Sequence, residues 1–154
     1  MAIEIERKFL VTGDDWRDSP AVYYSQGYLS RAKERTVRVR IAGDRAFLTV
    51  KGVSTGASRV EFEYAIPLED GREMLALCEQ PLIEKYRRKL PYAGYVWEVD
   101  EFLGDNLGLV IAEIELPSEN AQFEKPSWIG EEVTSDPRYF NSALISHPWQ
   151  KWVG

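Results

Sequence analysis

Six segments of this chain place charged residues two positions apart around one apolar or aromatic residue: Glu4-Ile5-Glu6, Arg38-Val39-Arg40, Glu61-Phe62-Glu63, Lys85-Tyr86-Arg87, Glu98-Val99-Asp100 and Glu113-Ile114-Glu115. In a β-strand successive side chains alternate, so each segment puts its charges on one face and its apolar residue on the other. The first segment extends this to Lys8, with Ile3, Ile5 and Phe9 on or near the opposite face. Most segments carry a single sign: acidic at 61/63, 98/100 and 113/115, basic at 38/40 and 85/87, with Lys51 on a further strand. A face turned to water usually mixes signs and includes Ser, Thr, Asn and Gln. Like charges at i and i+2 lie about 6.5–7 Å apart, and in a confined space they repel while desolvation disfavours each ion. Two arrangements compete. The charges either face water around an oily core, or line a closed barrel whose apolar faces look outward. In the second, converging carboxylates call for a divalent cation and clustered Arg and Lys for an oxygen-rich anion, as in a metal–polyphosphate site.

The pattern along the chain predicts about eight strands and two or three helices. Strands are expected at 2–11, 22–30, 35–42, 45–51, 59–66, 84–90, 95–102 and 110–116. Gly43-Asp44 signals a hairpin turn, residues 52–58 a Gly/Ser/Thr loop, and 91–94 a further turn. A short helical piece is expected between Thr12 and Pro20. A helix over 69–79 would turn Met74, Leu75, Leu77 and Cys78 to one side. Asp136-Pro137 reads as a cap and first turn for a helix over 137–146. Sequential strands joined by hairpins favour an antiparallel sheet, and eight strands suffice to close a barrel. The expected class is α+β: an eight-stranded antiparallel barrel with a charged interior and a few flanking helices, in one domain over 1–154.

The remaining numbers exclude more than they assign. Lys and Arg total 19 against 25 Asp and Glu, a formal net charge of −6, which disfavours a general nucleic-acid binder. A single cysteine, Cys78, excludes an internal disulfide and a cysteine-rich metal site. No apolar run approaches a membrane span, and the N-terminus lacks a signal-peptide pattern, so a cytoplasmic protein is expected.

The segment Glu4-Ile5-Glu6-Arg7-Lys8-Phe9-Leu10-Val11 resembles the N-terminal signature of the CYTH domain, within the triphosphate tunnel metalloenzymes. The likeness continues in order through Arg38 and Arg40, Lys51, Arg59 with Glu61 and Glu63, Lys85 and Arg87, Asp100, and Glu113 with Glu115. The Gln26-Gly27-Tyr28-Leu29 stretch and the tail Trp128–Thr134 resemble the small bacterial members. The resemblance implies an eight-stranded tunnel that binds a small-molecule triphosphate with Mg²⁺ or Mn²⁺. It implies metal ligands first among Glu4, Glu6, Glu113 and Glu115. Glu61, Glu63, Glu98 and Asp100 are further candidates, with partnering of the basic residues as their competing role.

Phosphate oxygens would fall to Arg38, Arg40, Lys51, Lys85 and Arg87, with Lys8 and Arg59 joining them. Hydrolysis needs an activated water, and the chain offers no Ser-His-Asp or Cys-His set. Lys85, beside Arg87, is a candidate base through a depressed pKa, and Tyr28 is another. His147 is expected on the surface or in packing, and Cys78 in the core. The expected activity is metal-dependent hydrolysis of a triphosphate, foremost inorganic tripolyphosphate. The alternatives are a class IV type adenylyl cyclase, a thiamine triphosphatase and a non-catalytic binder of polyphosphate or nucleotide. Trp149 and Trp152 would either cap the barrel or form a homodimer contact.

Overall fold

In a computed structural model, residues 3–152 are described. Eight antiparallel strands form one sheet: β1 (Ile3–Val11), β2 (Ala21–Ser30), β3 (Thr36–Ala42), β4 (Arg45–Thr55), β5 (Ser58–Ile66), β6 (Ile83–Tyr92), β7 (Tyr95–Phe102) and β8 (Val110–Glu115). The hydrogen-bonded order is β5-β4-β3-β2-β6-β7-β8-β1, and β1 pairs back to β5 through Ile3↔Val60 and Ile5↔Ser58. The sheet therefore closes into a barrel, which leaves no free edge along most of its length. A short ninth strand, β9 (Ile129–Glu132), takes the remaining edge of β1 opposite Phe9 and Val11. It was not expected from the sequence. Gly130 interrupts it, and its four residues alternate too briefly to signal a strand.

Apolar residues on the outer face of the barrel are covered in two places. Phe9, Trp97, Val99, Ala112 and Ile114 from β1, β7 and β8 pack beneath Trp16, Leu116 and Trp128. Each such large side chain, fully buried, contributes roughly 1.5–3 kcal/mol relative to exposure. On β3 and β4, helix α1 (Leu68–Leu77) lays Leu75 and the following Cys78 over Val39. Gly71 is what lets this helix sit so low, since a Cβ there would stand 2.5 Å from the Cβ of Ala46. Leu77, expected on the same apolar side, instead points into solvent at 77% exposure. The helix stops at that residue and Cys78 is already extended.

The inward rows change character at one end. Leu10, Ile83, Phe102 and Ile111 continue the rows of Lys8, Lys85, Asp100 and Glu113, and they join Tyr28, Tyr139, Leu144 and Ile145 in an apolar plug. The tail supplies that plug. The helix expected over 137–146 is broken into a 3₁₀ turn (Pro137–Tyr139) and α2 (Ala143–Ser146), while Asp136 caps the first turn through its side chain to Arg138 N. The break falls at Phe140, whose backbone is extended, and Phe140, Asn141 and Ser142 line the barrel mouth. Trp149 and Trp152 stack against the plug, Trp152 edge-on to Tyr139 at 5.0 Å. The loop expected at 52–58 is mostly strand: β4 runs to Thr55, and the turn is Gly56-Ala57 with Gly56 at φ +60°. The first helical piece is a 3₁₀ turn, Asp15–Asp18. Among the described residues no helix is long and apolar enough to cross a membrane.

Candidate active site

The barrel encloses a cavity of about 770 Å³. Arg38 and Arg40 on β3, Lys51 on β4, Arg59 on β5, and Lys85 and Arg87 on β6 line it. Glu4 and Glu6 on β1, Glu61 and Glu63 on β5, Glu98 on β7, and Glu113 and Glu115 on β8 line it as well. Lys8 projects among the acids, 3.7 Å from Glu113. Strand register explains the crowding: β1 and β8 pair Glu6 with Glu115 and Lys8 with Glu113, and β7 pairs Glu98 with Glu113. The alternation read from the sequence thus turns the charges inward and the apolar residues outward.

One part of this lining neutralises itself. Asp100 is 1% exposed and accepts from Lys85 Nζ at 2.7 Å, Arg87 Nε at 2.7 Å and Arg87 Nη2 at 2.9 Å. Arg87 also reaches Glu113 at 3.1 Å and Glu98 at 3.3 Å. Burial alone would raise the Asp100 carboxyl, but Arg87 and Lys85 outweigh it and hold it well below the usual range. Burial pushes the Lys85 ammonium down to about 7; Asp100 opposes this, while Arg87 and Arg40 add to it. Both Asp100 oxygens are engaged by cations, which is the competing role expected for it.

Another part is left without counter-charge. Among the described residues Arg40 makes no ion pair; its Nε donates to Gln26 Oε1 at 3.1 Å. Burial, then the charges of Arg38 and Arg87, lower its pKa to about 10. The Tyr24 ring lies 5.1 Å from the Arg40 guanidinium and 5.0 Å from that of Arg87, a π face where a carboxylate would otherwise be expected. Arg59 donates to Gly52 O at 2.6 Å and Thr36 Oγ1 at 2.8 Å and has no acidic partner within 4 Å among the described residues. Arg38 meets Thr49 Oγ1 at 3.2 Å and Glu63 only at 3.8 Å, and its Nε is buried without a hydrogen bond.

The acidic side shows the converse. Burial, then the neighbouring Glu6, raises the Glu113 carboxyl to about 7 against the pull of Lys8 and Arg87. Burial, then Glu4 and Glu98, also raises Glu115. Lys51 pairs with Glu4, its Nζ 3.0 Å from Oε2 and donating to Oε1 at 3.5 Å, while Oε2 itself is buried without a hydrogen bond. Lys51 is 3.8 Å from Glu61, and Glu63 accepts from Thr49 Oγ1 at 3.2 Å. Among the described residues no three Asp, Glu, His or Cys side chains converge tightly enough to hold a metal ion as they stand.

Of the two candidate bases, Lys85 is buried between Asp100 and Asn141, whereas Tyr28 lines the cavity beside the plug. His147 is exposed and Cys78 is buried in the core. Several uncharged residues in or behind the lining were not expected from the sequence. Gln26 and Asn141 connect Arg40 and Lys85, while Thr36 and Thr49 serve Arg59 and Arg38. A lone amide or hydroxyl in a strand or tail carries no periodic signal.

The family model for the CYTH domain matches residues 2–143. An inorganic triphosphatase of Acetivibrio thermocellus is 56% identical over 154 residues, covering 99% of each chain. A second, of Nitrosomonas europaea, is 40% identical over 146 residues, covering 92% of this chain and 95% of that one. The solved structure of an inorganic triphosphatase superposes with a TM-score of 0.66 at 35% identity, over 92% of this chain and 96% of that one. A charged barrel interior, a motif set in register across its strands, and matches of this extent place the chain in the CYTH domain family.

Proposed function

We propose that this protein is a metal-dependent triphosphatase that hydrolyses inorganic tripolyphosphate to diphosphate and phosphate. The observation that carries the reading is the cluster of Arg38, Arg40 and Arg59 in a closed barrel, where among the described residues only Arg38 has a carboxylate within 4 Å, Glu63 at 3.8 Å. An enclosed cationic surface of this kind is stabilised by an anion rich in oxygens, and guanidinium forks match phosphate geometry. Lys8, Lys51, Lys85 and Arg87 extend the grip. The two curated relatives bear the same activity in their names.

The acidic side fits a hard divalent ion. Its donors are all carboxylate oxygens, one of them, Glu4 Oε2, is buried without a hydrogen bond, and crowding raises Glu113 and Glu115. Mg²⁺ keeps several waters and is commonly held by one or two carboxylates plus substrate phosphates, so a preformed cage of three is not required. Glu4, Glu6, Glu113 and Glu115 are assigned as ligands for Mg²⁺ or Mn²⁺. Glu61 and Glu63 are assigned to an outer role beside Lys51 and Arg38, and Asp100 to holding Lys85 and Arg87. When bound, the ion would supply charge neutralisation on the phosphoryl oxygens.

Phosphoryl transfer needs positioning and charge stabilisation more than covalent help. Arg38 and Arg40, fixed by Thr49 and Gln26, orient the phosphate chain. Lys85, with its pKa brought to about 7, is assigned as the proton acceptor at Nζ, and the Tyr28 hydroxyl borders the same space. The barrel wall and the plug limit water to the cavity. Purified protein supplied with Mg²⁺ or Mn²⁺ is expected to release phosphate fastest from tripolyphosphate and more slowly from ATP or thiamine triphosphate. Absence of phosphate release from tripolyphosphate would refute the substrate, and cyclic AMP from ATP would make the protein a cyclase instead.

A further inference from the structure

The tail contributes one side chain to the tunnel that neither the motif set nor the proposed chemistry accounts for. Asn141 lies in the segment between the Pro137–Tyr139 turn and α2, and lines the cavity. Its Oδ1 accepts from Lys85 Nζ at 3.1 Å and from Gln26 Nε2 at 3.2 Å. Gln26 is fully buried, and its own Oε1 accepts from Arg40 Nε.

This chain of bonds has only one polarity. An arginine Nε–H can only donate. Gln26 must therefore turn its oxygen to Arg40, and its amide nitrogen is left to donate to Asn141. Asn141 must then turn its oxygen to Gln26, where it also accepts from Lys85 Nζ. With its oxygen taken by two donors, Asn141 presents its NH₂ group away from them. That group makes no hydrogen bond among the described residues and is not among the sealed, unpartnered atoms. The neighbouring Phe140 ring lies 5.5 Å from Lys8 Nζ, so the segment sits between Lys8 and Lys85.

We infer that Asn141 is a substrate-binding residue, its amide locked by Lys85 and Gln26 so that the NH₂ donates to a phosphoryl oxygen of the triphosphate. The inference rests on the triphosphatase reading. In it, the tail is part of the binding wall as well as a plug, and a neutral donor is set where a further cation would crowd Lys85 and Arg40. The same amide couples the β6 lysine to the β3 arginine, so the phosphate contacts on two strands are held at one spacing.

Two near-isosteric variants separate contact from tethering. Asn141→Asp keeps an oxygen toward Lys85 and Gln26 but replaces the donor with an acceptor facing the substrate. Asn141→Leu removes both functions. Tripolyphosphate binding is measured by calorimetry in chelator, kcat and KM with Mg²⁺, and Tm for each protein. The expected result for Asn141→Asp is an unchanged Tm with binding weakened about tenfold to a hundredfold, the range for one hydrogen bond to a charged group, and a matching rise in KM. Asn141→Leu is expected to lose as much affinity and to melt earlier. Wild-type affinity and KM in Asn141→Asp, with a lowered Tm in Asn141→Leu, would make the residue a tether and overturn the inference. Wild-type protein that neither binds nor hydrolyses tripolyphosphate would overturn the underlying reading, and this inference with it.

Discussion

Two neighbourhoods of the same tunnel treat buried charge in opposite ways. Around Asp100, each buried charge has a partner at hydrogen-bond distance: Lys85 and Arg87 saturate both carboxylate oxygens, and Arg87 goes on to Glu113. Around Arg40 and Arg59, the charges meet amides, hydroxyls, a backbone carbonyl and an aromatic ring, with no carboxylate within 4 Å among the described residues. A fold retains a saturated cluster because breaking it is costly. It has no such reason to retain a deficient one, because burying a charge without its counter-charge disfavours folding. Under the proposed function, the deficiency marks where a ligand would complete the electrostatics, while the saturated cluster holds the strands that present it.

The largest expected effect tests the saturated half. Asp100→Ala leaves Lys85 and Arg87 buried without their shared carboxylate. It is expected to lower unfolding stability by about 3–5 kcal/mol, read from urea titration; a loss below about 1 kcal/mol would show that Asp100 is dispensable to the frame. Next comes the deficient half on its acidic side. Glu4→Gln is expected to cut kcat by about a hundredfold or more, the scale for losing one transition-state charge contact, while leaving the urea midpoint unchanged or raised. Retained activity would remove Glu4 from the ligand set.

Arg40→Leu follows. It removes a half-buried guanidinium that has no acidic partner within 4 Å among the described residues, so the free protein is expected to be as stable as wild type or more so. KM for tripolyphosphate is expected to rise about tenfold or more, the scale of one charge-assisted contact. A destabilised Arg40→Leu would mean that the Tyr24 and Gln26 contacts already satisfy the charge, and the contrast between the two halves would fail.

How much of this contrast the sequence discloses depends on the residue type. The i, i+2 charge pairs are legible because period-two alternation sends both members to one face, and the shared sign of each pair disfavours an ordinary wet surface without deciding which face is inward. Which charges are saturated is not legible. Asp100 and Glu98 look alike in sequence, yet only Asp100 stands in register with Arg87 and reaches Lys85. Gln26 and Asn141 are silent for another reason. They are 115 residues apart, and their meaning arises only when the tail folds back over the barrel mouth. The broken helix at 140–142 is silent likewise, because its local propensity and cap point to a continuous helix and the docking of Phe140 and Asn141 overrides them.

The smallest expected effect concerns pH. The Glu113 carboxyl is raised to about 7 in the folded protein against an unfolded value of about 4.5. Its protonated form favours the native state, so this contribution is complete below about pH 4.5 and is lost as pH rises through 7. In metal-free protein the urea midpoint of wild type relative to Glu113→Gln is expected to fall between pH 5 and pH 7.5. A difference that stays flat would mean that Lys8 and Arg87 already neutralise Glu113.

The most direct test of the deficient tunnel is phosphate release from tripolyphosphate by wild-type protein with Mg²⁺, by the same protein in chelator, and by Arg40→Leu with Mg²⁺ at substrate concentrations below the wild-type KM. The account predicts rapid release in the first, none in the second and at least a tenfold slower rate in the third. Equal rates in all three would contradict it.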